Sequence, residues 1–79
     1  MKLPRDTSGR QLVGTLTRRW GDRQVNQVGS HIILQTEDPT YHRMSVPDHS
    51  PLRLGTLNGI LRAVAQAKGV TRDDIIASL

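Results

Sequence analysis

Gly29-Ser30-His31-Ile32-Ile33-Leu34-Gln35-Thr36, residues 29–36, decides how this chain folds. Two turn-forming residues lead into six in which β-branched side chains dominate, the composition of a strand. Side chains alternate along an extended backbone. His31, Ile33 and Gln35 therefore share one face, and Ile32, Leu34 and Thr36 share the other. If Ile32 and Leu34 enter a core, His31 is carried outward directly after a tight turn. The stretch predicts a hairpin that presents one imidazole.

The flanking sequence extends this pattern. Arg23–Val28 reads as a first strand, with Val25 and Gln27 on one face and Asn26 and Val28 on the other. Glu37-Asp38-Pro39-Thr40 is a turn, Asp-Pro being a turn initiator. A third strand is expected over 42–46, with Met44 and Val46 inward, Arg43 and Ser45 outward, and Pro47 ending it. Residues 48–54 read as a loop carrying His49 and Pro51.

Helices are expected on both sides. Upstream, residues 1–6 form a lead-in. Thr7 or Ser8 caps a helix whose stripe is Leu12, Val13, Leu16 and Trp20, with Gly21 just past its end. Gly14 within it is expected to mark close packing on the sheet. Downstream, Gly55-Thr56 opens a second helix with Thr56 as N-cap. Leu57, Ile60, Leu61 and Val64 give the clearest helical spacing in the chain. Gly69 and Val70 fit a Schellman ending. Thr71 caps a short last helix, Asp73 and Asp74 suit its positive end, and Ile75, Ile76 and Leu79 are its buried side. The order α-β-β-β-α, with a terminal helical turn, predicts an α+β domain over residues 1–79. Its three-stranded antiparallel sheet carries the helices on one face.

Composition limits the function. Seventy-nine residues make one domain, and a chain this short buries only about 60% of its unfolded surface. It has no cysteine, hence no disulfide, thiolate nucleophile or cysteine zinc site. No apolar run exceeds three residues, too short to cross a membrane. Met1-Lys2-Leu3-Pro4-Arg5 lacks the apolar core of a signal peptide, so a cytoplasmic location is expected. The net charge is +4 with a pI near 10.7, which favours polyanionic partners. Nine of the eleven basic residues are Arg, the side chain that forks onto phosphate. One Trp, one Tyr and no Phe argue against a platform that stacks several bases.

His31 is the foremost chemical candidate. An imidazole titrates near neutrality and so serves as base or acid under cytosolic conditions. Metal-free RNA cleavage needs a base for the 2′-hydroxyl and an acid for the departing 5′-oxygen, and arginines can stabilise the phosphorane between them. Gly29 lets backbone approach a phosphate, and Ser30 can bond a phosphate or fix the imidazole tautomer. His49 is a candidate second proton-transfer group. Arg43, Arg53 and Arg62 are candidates for gripping RNA, together with Thr56 at a helix N-terminus. The spacing of His31, His42 and His49 matches no metal-ligand motif, so neither a metal nor another cofactor is expected. Read without other knowledge, a histidine opening a strand is a half-exposed polar residue, and scattered arginines are a solvated surface.

Several stretches taken together resemble HicA-type toxins, the mRNA-interferase half of a bacterial toxin–antitoxin pair. They are Ser8-Gly9-Arg10, Gly29-Ser30-His31 with its apolar strand, Val46-Pro47-Asp48-His49, and Gly55-Thr56-Leu57 with Ile60-Leu61. The likeness runs from about residue 7 to residue 70. The resemblance implies a fold like a double-stranded-RNA-binding domain and metal-independent cleavage of mRNA, with His31 as the catalytic residue. It also implies a cytoplasmic antitoxin of the HicB type that masks the site in a hetero-oligomer. The alternatives are a non-catalytic double-stranded-RNA-binding module and a protein-interaction domain with an acidic partner.

Overall fold

Ser8 and Gln11 start the first helix by satisfying each other's backbone. The Ser8 hydroxyl accepts from Gln11 N–H at 3.0 Å, and the Gln11 side chain accepts from Ser8 N–H at 2.8 Å. The structure, a computed structural model, describes residues 2–79. Met1, the first residue of the expected lead-in, lies outside them. The elements are α1 (Gly9–Arg19), β1 (Arg23–Val28), β2 (His31–Thr36), β3 (His42–Pro47), α2 (Leu54–Lys68) and α3 (Arg72–Ser78).

The strands form one antiparallel sheet in the order β1-β2-β3. Ile32 pairs with Val46 and Leu34 with Met44 on the inner face, while Ile33 pairs with Ser45 and Gln35 with Arg43 on the outer face. The inner face joins Leu12, Leu16, Leu57, Leu61, Val64 and Ile75 in a single core, with Met44 half-buried at its edge. The helices therefore cover one side of the sheet and leave the other open.

Five details differ from the sequence reading. Thr56 is not the N-cap of α2. Arg53 holds that position without a side-chain bond, and Thr56 stands in the first turn. The helix begins early because Leu52, 3% exposed, is anchored by its N–H on the Thr7 carbonyl at 2.8 Å, which aims the following residues into the helix. Strand β3 includes Pro47, which pairs with His31; as an edge strand it tolerates the missing N–H. A bulge between Gln24 and Asn26 interrupts the alternation expected of β1. The space beside Gly14 is filled by the Arg18 guanidinium rather than by the sheet. Leu79 is exposed, and the buried side of α3 is Ile75 and Ile76.

Polar contacts tie the elements together. Trp20 Nε1 donates to Ser78 Oγ at 2.8 Å, joining α1 to α3. Lys68, the last residue of α2, buries its ammonium 3.1 Å from Asp22 Oδ1 and donates to the Thr36 hydroxyl and the Asp38 carbonyl. Asp22 Oδ1 meets Lys68 as an ion pair without the alignment of a hydrogen bond. Gly69 closes α2 in the left-handed conformation, φ +70°, and Val70 N–H reaches back to the Ala65 carbonyl at 3.0 Å, the expected Schellman ending. Thr71 and Asp74 form a second capping box. The Asp74 carboxyl is held below its ordinary range, first by the Thr71 backbone N–H and then by the Thr71 side chain.

Candidate active site

A two-residue turn delivers His31 to its place. Gly29 has φ +58°, the positive value required at the first central position of a II′ turn, and the space beside its Cα is open. Ser30 follows, and His31 opens β2 on the outer face between Val28 on β1 and Pro47 on β3. The ring is exposed.

One side chain holds that ring. His31 Nδ1 lies 3.2 Å from Ser45 Oγ, the diagonal cross-strand neighbour on the same face. In one tautomer the hydroxyl donates to Nδ1 and Nε2 carries the proton. In the other, Nδ1–H donates to the hydroxyl and Nε2 offers its lone pair. In both, Nδ1 is engaged and Nε2 is left to face a bound molecule, as donor in the first tautomer and as acceptor in the second.

The turn beneath the ring is locked from two sides. Asp48 N–H donates to the Ser30 carbonyl at 2.6 Å, and Gly9 N–H donates to the His49 carbonyl at 2.8 Å. Arg10 binds Asp48 Oδ2 through Nη2 at 3.1 Å and Nε at 3.3 Å, and reaches Gln27 Oε1 at 3.3 Å. Gln27 in turn donates to the Gly29 carbonyl at 3.2 Å. Ser8-Gly9-Arg10, Gly29-Ser30-His31 and Val46-Pro47-Asp48-His49, far apart in sequence, thus meet at one corner.

The outer face is cationic. None of the three strands contains a carboxylate. On the face that carries His31 stand Arg23 and Arg43, each on the register line of Gln35. Arg43 Nη1 donates to Gln35 Oε1 at 3.1 Å. Ile33, half-buried, lies between this line and the imidazole.

The remaining candidates are dispersed. His49 is exposed and contributes its backbone to the corner, while its ring has no hydrogen-bond partner among the described residues. Arg53, Thr56 and Arg62 are exposed on or beside α2, and none of their side chains hydrogen-bonds the His31 ring. His42 pairs with Thr36 at the far end of the hairpin. Among the described residues no group of three or more His, Cys, Asp or Glu side chains is placed to hold a metal ion, and no helix is long and apolar enough to cross a membrane. Ser45 is the residue that sequence reasoning missed. Alternation marked it as outward, but its pairing with the imidazole depends on strand register.

An imidazole with one nitrogen fixed and the other open, on a face of arginines without acids, can exchange a proton with a bound anion and stabilise charge on it. Comparison of the chain with protein-family models, with curated proteins and with solved structures finds no match in any of the three.

Proposed function

We propose that this chain is a HicA-type mRNA interferase, the toxin of a type II toxin–antitoxin pair. In this reading it is a metal-independent endoribonuclease of the cytoplasm, and a HicB-type antitoxin masks it in a hetero-oligomer. In this reading the α-β-β-β-α order, followed by α3, belongs to a fold like a double-stranded-RNA-binding domain. The observation that carries the reading is the exposed His31 ring, braced by Ser45 on a carboxylate-free sheet face. It stands at the corner where three of the stretches that resemble the family converge.

The chemistry balances without a cofactor. The 2′-hydroxyl attacks the adjacent phosphorus and gives its proton to a base. The bond from phosphorus to the 5′-oxygen breaks, and an acid protonates that oxygen. The products are a 2′,3′-cyclic phosphate and a 5′-hydroxyl. His31 Nε2 performs one of the two proton transfers, a role worth about 10²–10⁴ in rate. If a second imidazole performs the other, cleavage follows a bell-shaped pH profile around neutrality.

The test is induction of the chain in a bacterial host beside His31→Ala, with growth and total RNA followed together. Wild type is expected to arrest growth and degrade mRNA, and His31→Ala to do neither. Purified protein is expected to cut RNA in the presence of a chelator. Intact RNA under wild-type induction, or equal cleavage by His31→Ala, overturns the reading. RNA binding without product would leave a non-catalytic module.

A further inference from the structure

We infer that the open face of the sheet is a track for single-stranded RNA, with Arg23, Gln35 and Arg43 forming a phosphate-holding subsite at the end away from His31. The placement of the scissile bond at His31 rests on the function proposed above; the subsite itself does not.

Arg23 pairs with Gln35, and Gln35 pairs with Arg43, so two guanidinium groups flank one amide on a single line across all three strands. Gln35 Oε1 is taken by Arg43 Nη1, which braces that guanidinium across the line. Among the described residues neither arginine has a carboxylate partner. Two like charges on one line, with no acid on the strands, are an arrangement that a bound anion relieves. Tyr41, 62% exposed, lies two residues before Arg43. It is an aromatic surface left outside the core, whereas Trp20 packs against it.

The spacing suits a polymer rather than an isolated phosphate. Gln35 is four residues from His31 along β2, about 13 Å at the rise of a strand. Ile33 provides an apolar step between them, with Asn26 and Ser45 paired to either side of it. One strand of RNA can lie along this line, its phosphates at the two ends and a base over Ile33 or Tyr41.

Helix α2 offers little to a duplex. The cations of α2 are Arg62 and Lys68, and the Lys68 ammonium is sealed against Asp22, its side chain 6% exposed. Arg62 is left as the cation of that helix in solvent.

The probe is a short RNA with every 2′-hydroxyl methylated, which binds but cannot be cut, as a single strand and as a blunt duplex. Fluorescence anisotropy over a salt series is expected to show tighter binding of the single strand. Arg43→Gln and Arg23→Gln are each expected to weaken it about tenfold. Each should also reduce the slope of log affinity against log salt by about 0.7, one phosphate contact. Arg62→Gln is expected to bind as wild type. Arg43→Lys keeps the charge and loses the fork, so it should retain the salt slope and recover part of the affinity. It also serves if the glutamine variants fold poorly.

Unchanged affinity and slope in both arginine variants overturn the inference, as does preference for the duplex with the loss carried by Arg62→Gln. If wild type binds as expected but yields no product from unmodified RNA, the nuclease reading fails and the track stands. If cleavage depends on His31 while Arg23→Gln and Arg43→Gln bind and cut as wild type, the track fails alone.

Discussion

Gly9 and Pro47 touch backbone to backbone. A Cβ on Gly9 would run into the Pro47 carbonyl oxygen, stand 2.9 Å from its carbon and 3.3 Å from the Asp48 Cα. No rotamer relieves such a clash, because neither partner is the end of a side chain. The first turn of α1 is seated against residues 47–49, and Gly9 N–H holds the His49 carbonyl there. Gly9→Ala must push α1 away from that loop and is expected to destabilise the fold by about 1–3 kcal/mol, the usual cost of overpacking. The check is a thermal melt, where a domain of this size loses about 4–8 °C for each kcal/mol.

Gly59 is the opposite case. It lies inside α2, exposed, with nothing near the position of a Cβ. Gly59→Ala restricts the unfolded chain without a clash and is expected to stabilise by about 0.5–1 kcal/mol. A lower melting temperature for this variant would mean that the exposed face of α2 has a partner a methyl group disturbs.

Much of this fold was legible because its signals are local. Ile32 and Leu34 marked the inner face of β2, and the spacing of Leu57, Ile60, Leu61 and Val64 marked the buried face of α2. Both are confirmed by burial. The start of α2 is not legible, because Gly55-Thr56 looks like a cap whereas the boundary is set by Leu52 anchoring on Thr7, a contact between distant segments. The site was half legible for the same reason. Alternation turned His31 and Ser45 outward, but the hydrogen bond between them needs the register of β2 on β3. No sequence pattern announced that Lys68 would turn inward to Asp22.

That buried pair yields a stability prediction. The Asp22 side chain is 1% exposed, and Lys68 is its ion-pair partner. Lys68→Met leaves a carboxylate without water or counter-charge and is expected to cost about 3–5 kcal/mol. At about 0.05–0.15 kcal/mol per residue, the whole domain holds only about 4–12 kcal/mol, so this variant sits near the edge of unfolding. Adding Asp22→Asn removes the stranded charge and should recover part of the loss. Denaturant titration of the single and double variants measures both effects; a single variant as stable as wild type would show that Asp22 finds solvent.

The Thr71–Asp74 capping box supplies a pH dependence. Asp74 is held below the ordinary carboxylate range by the Thr71 N–H and then by the Thr71 side chain. A carboxyl whose folded value is depressed binds fewer protons than in the unfolded chain. Its contribution is therefore present above the unfolded value and disappears as pH falls through the folded one. Asp74→Ala is expected to melt below wild type at neutral pH, with the gap narrowing in strong acid. An equal gap at both extremes would assign the loss to something other than the charge of Asp74.

Ser45 gives the sharpest test of the chemistry. Its hydroxyl fixes one nitrogen of the ring and, in the proposed reaction, leaves the other for proton transfer. It acts through His31 and not on RNA, which makes it a positioning residue. Ser45→Ala frees the imidazole to rotate and is expected to lower kcat roughly two- to tenfold, the worth of one hydrogen bond, with KM unchanged. Ser45→Thr keeps the hydroxyl on a side chain suited to a strand and should retain the wild-type rate. The loss should be absent in a His31→Ala background, since a hydroxyl with no ring to orient has nothing left to contribute. A rise in KM at constant kcat would instead put Ser45 against the RNA, and the imidazole would then owe its orientation to the neighbouring Pro47 and Val28.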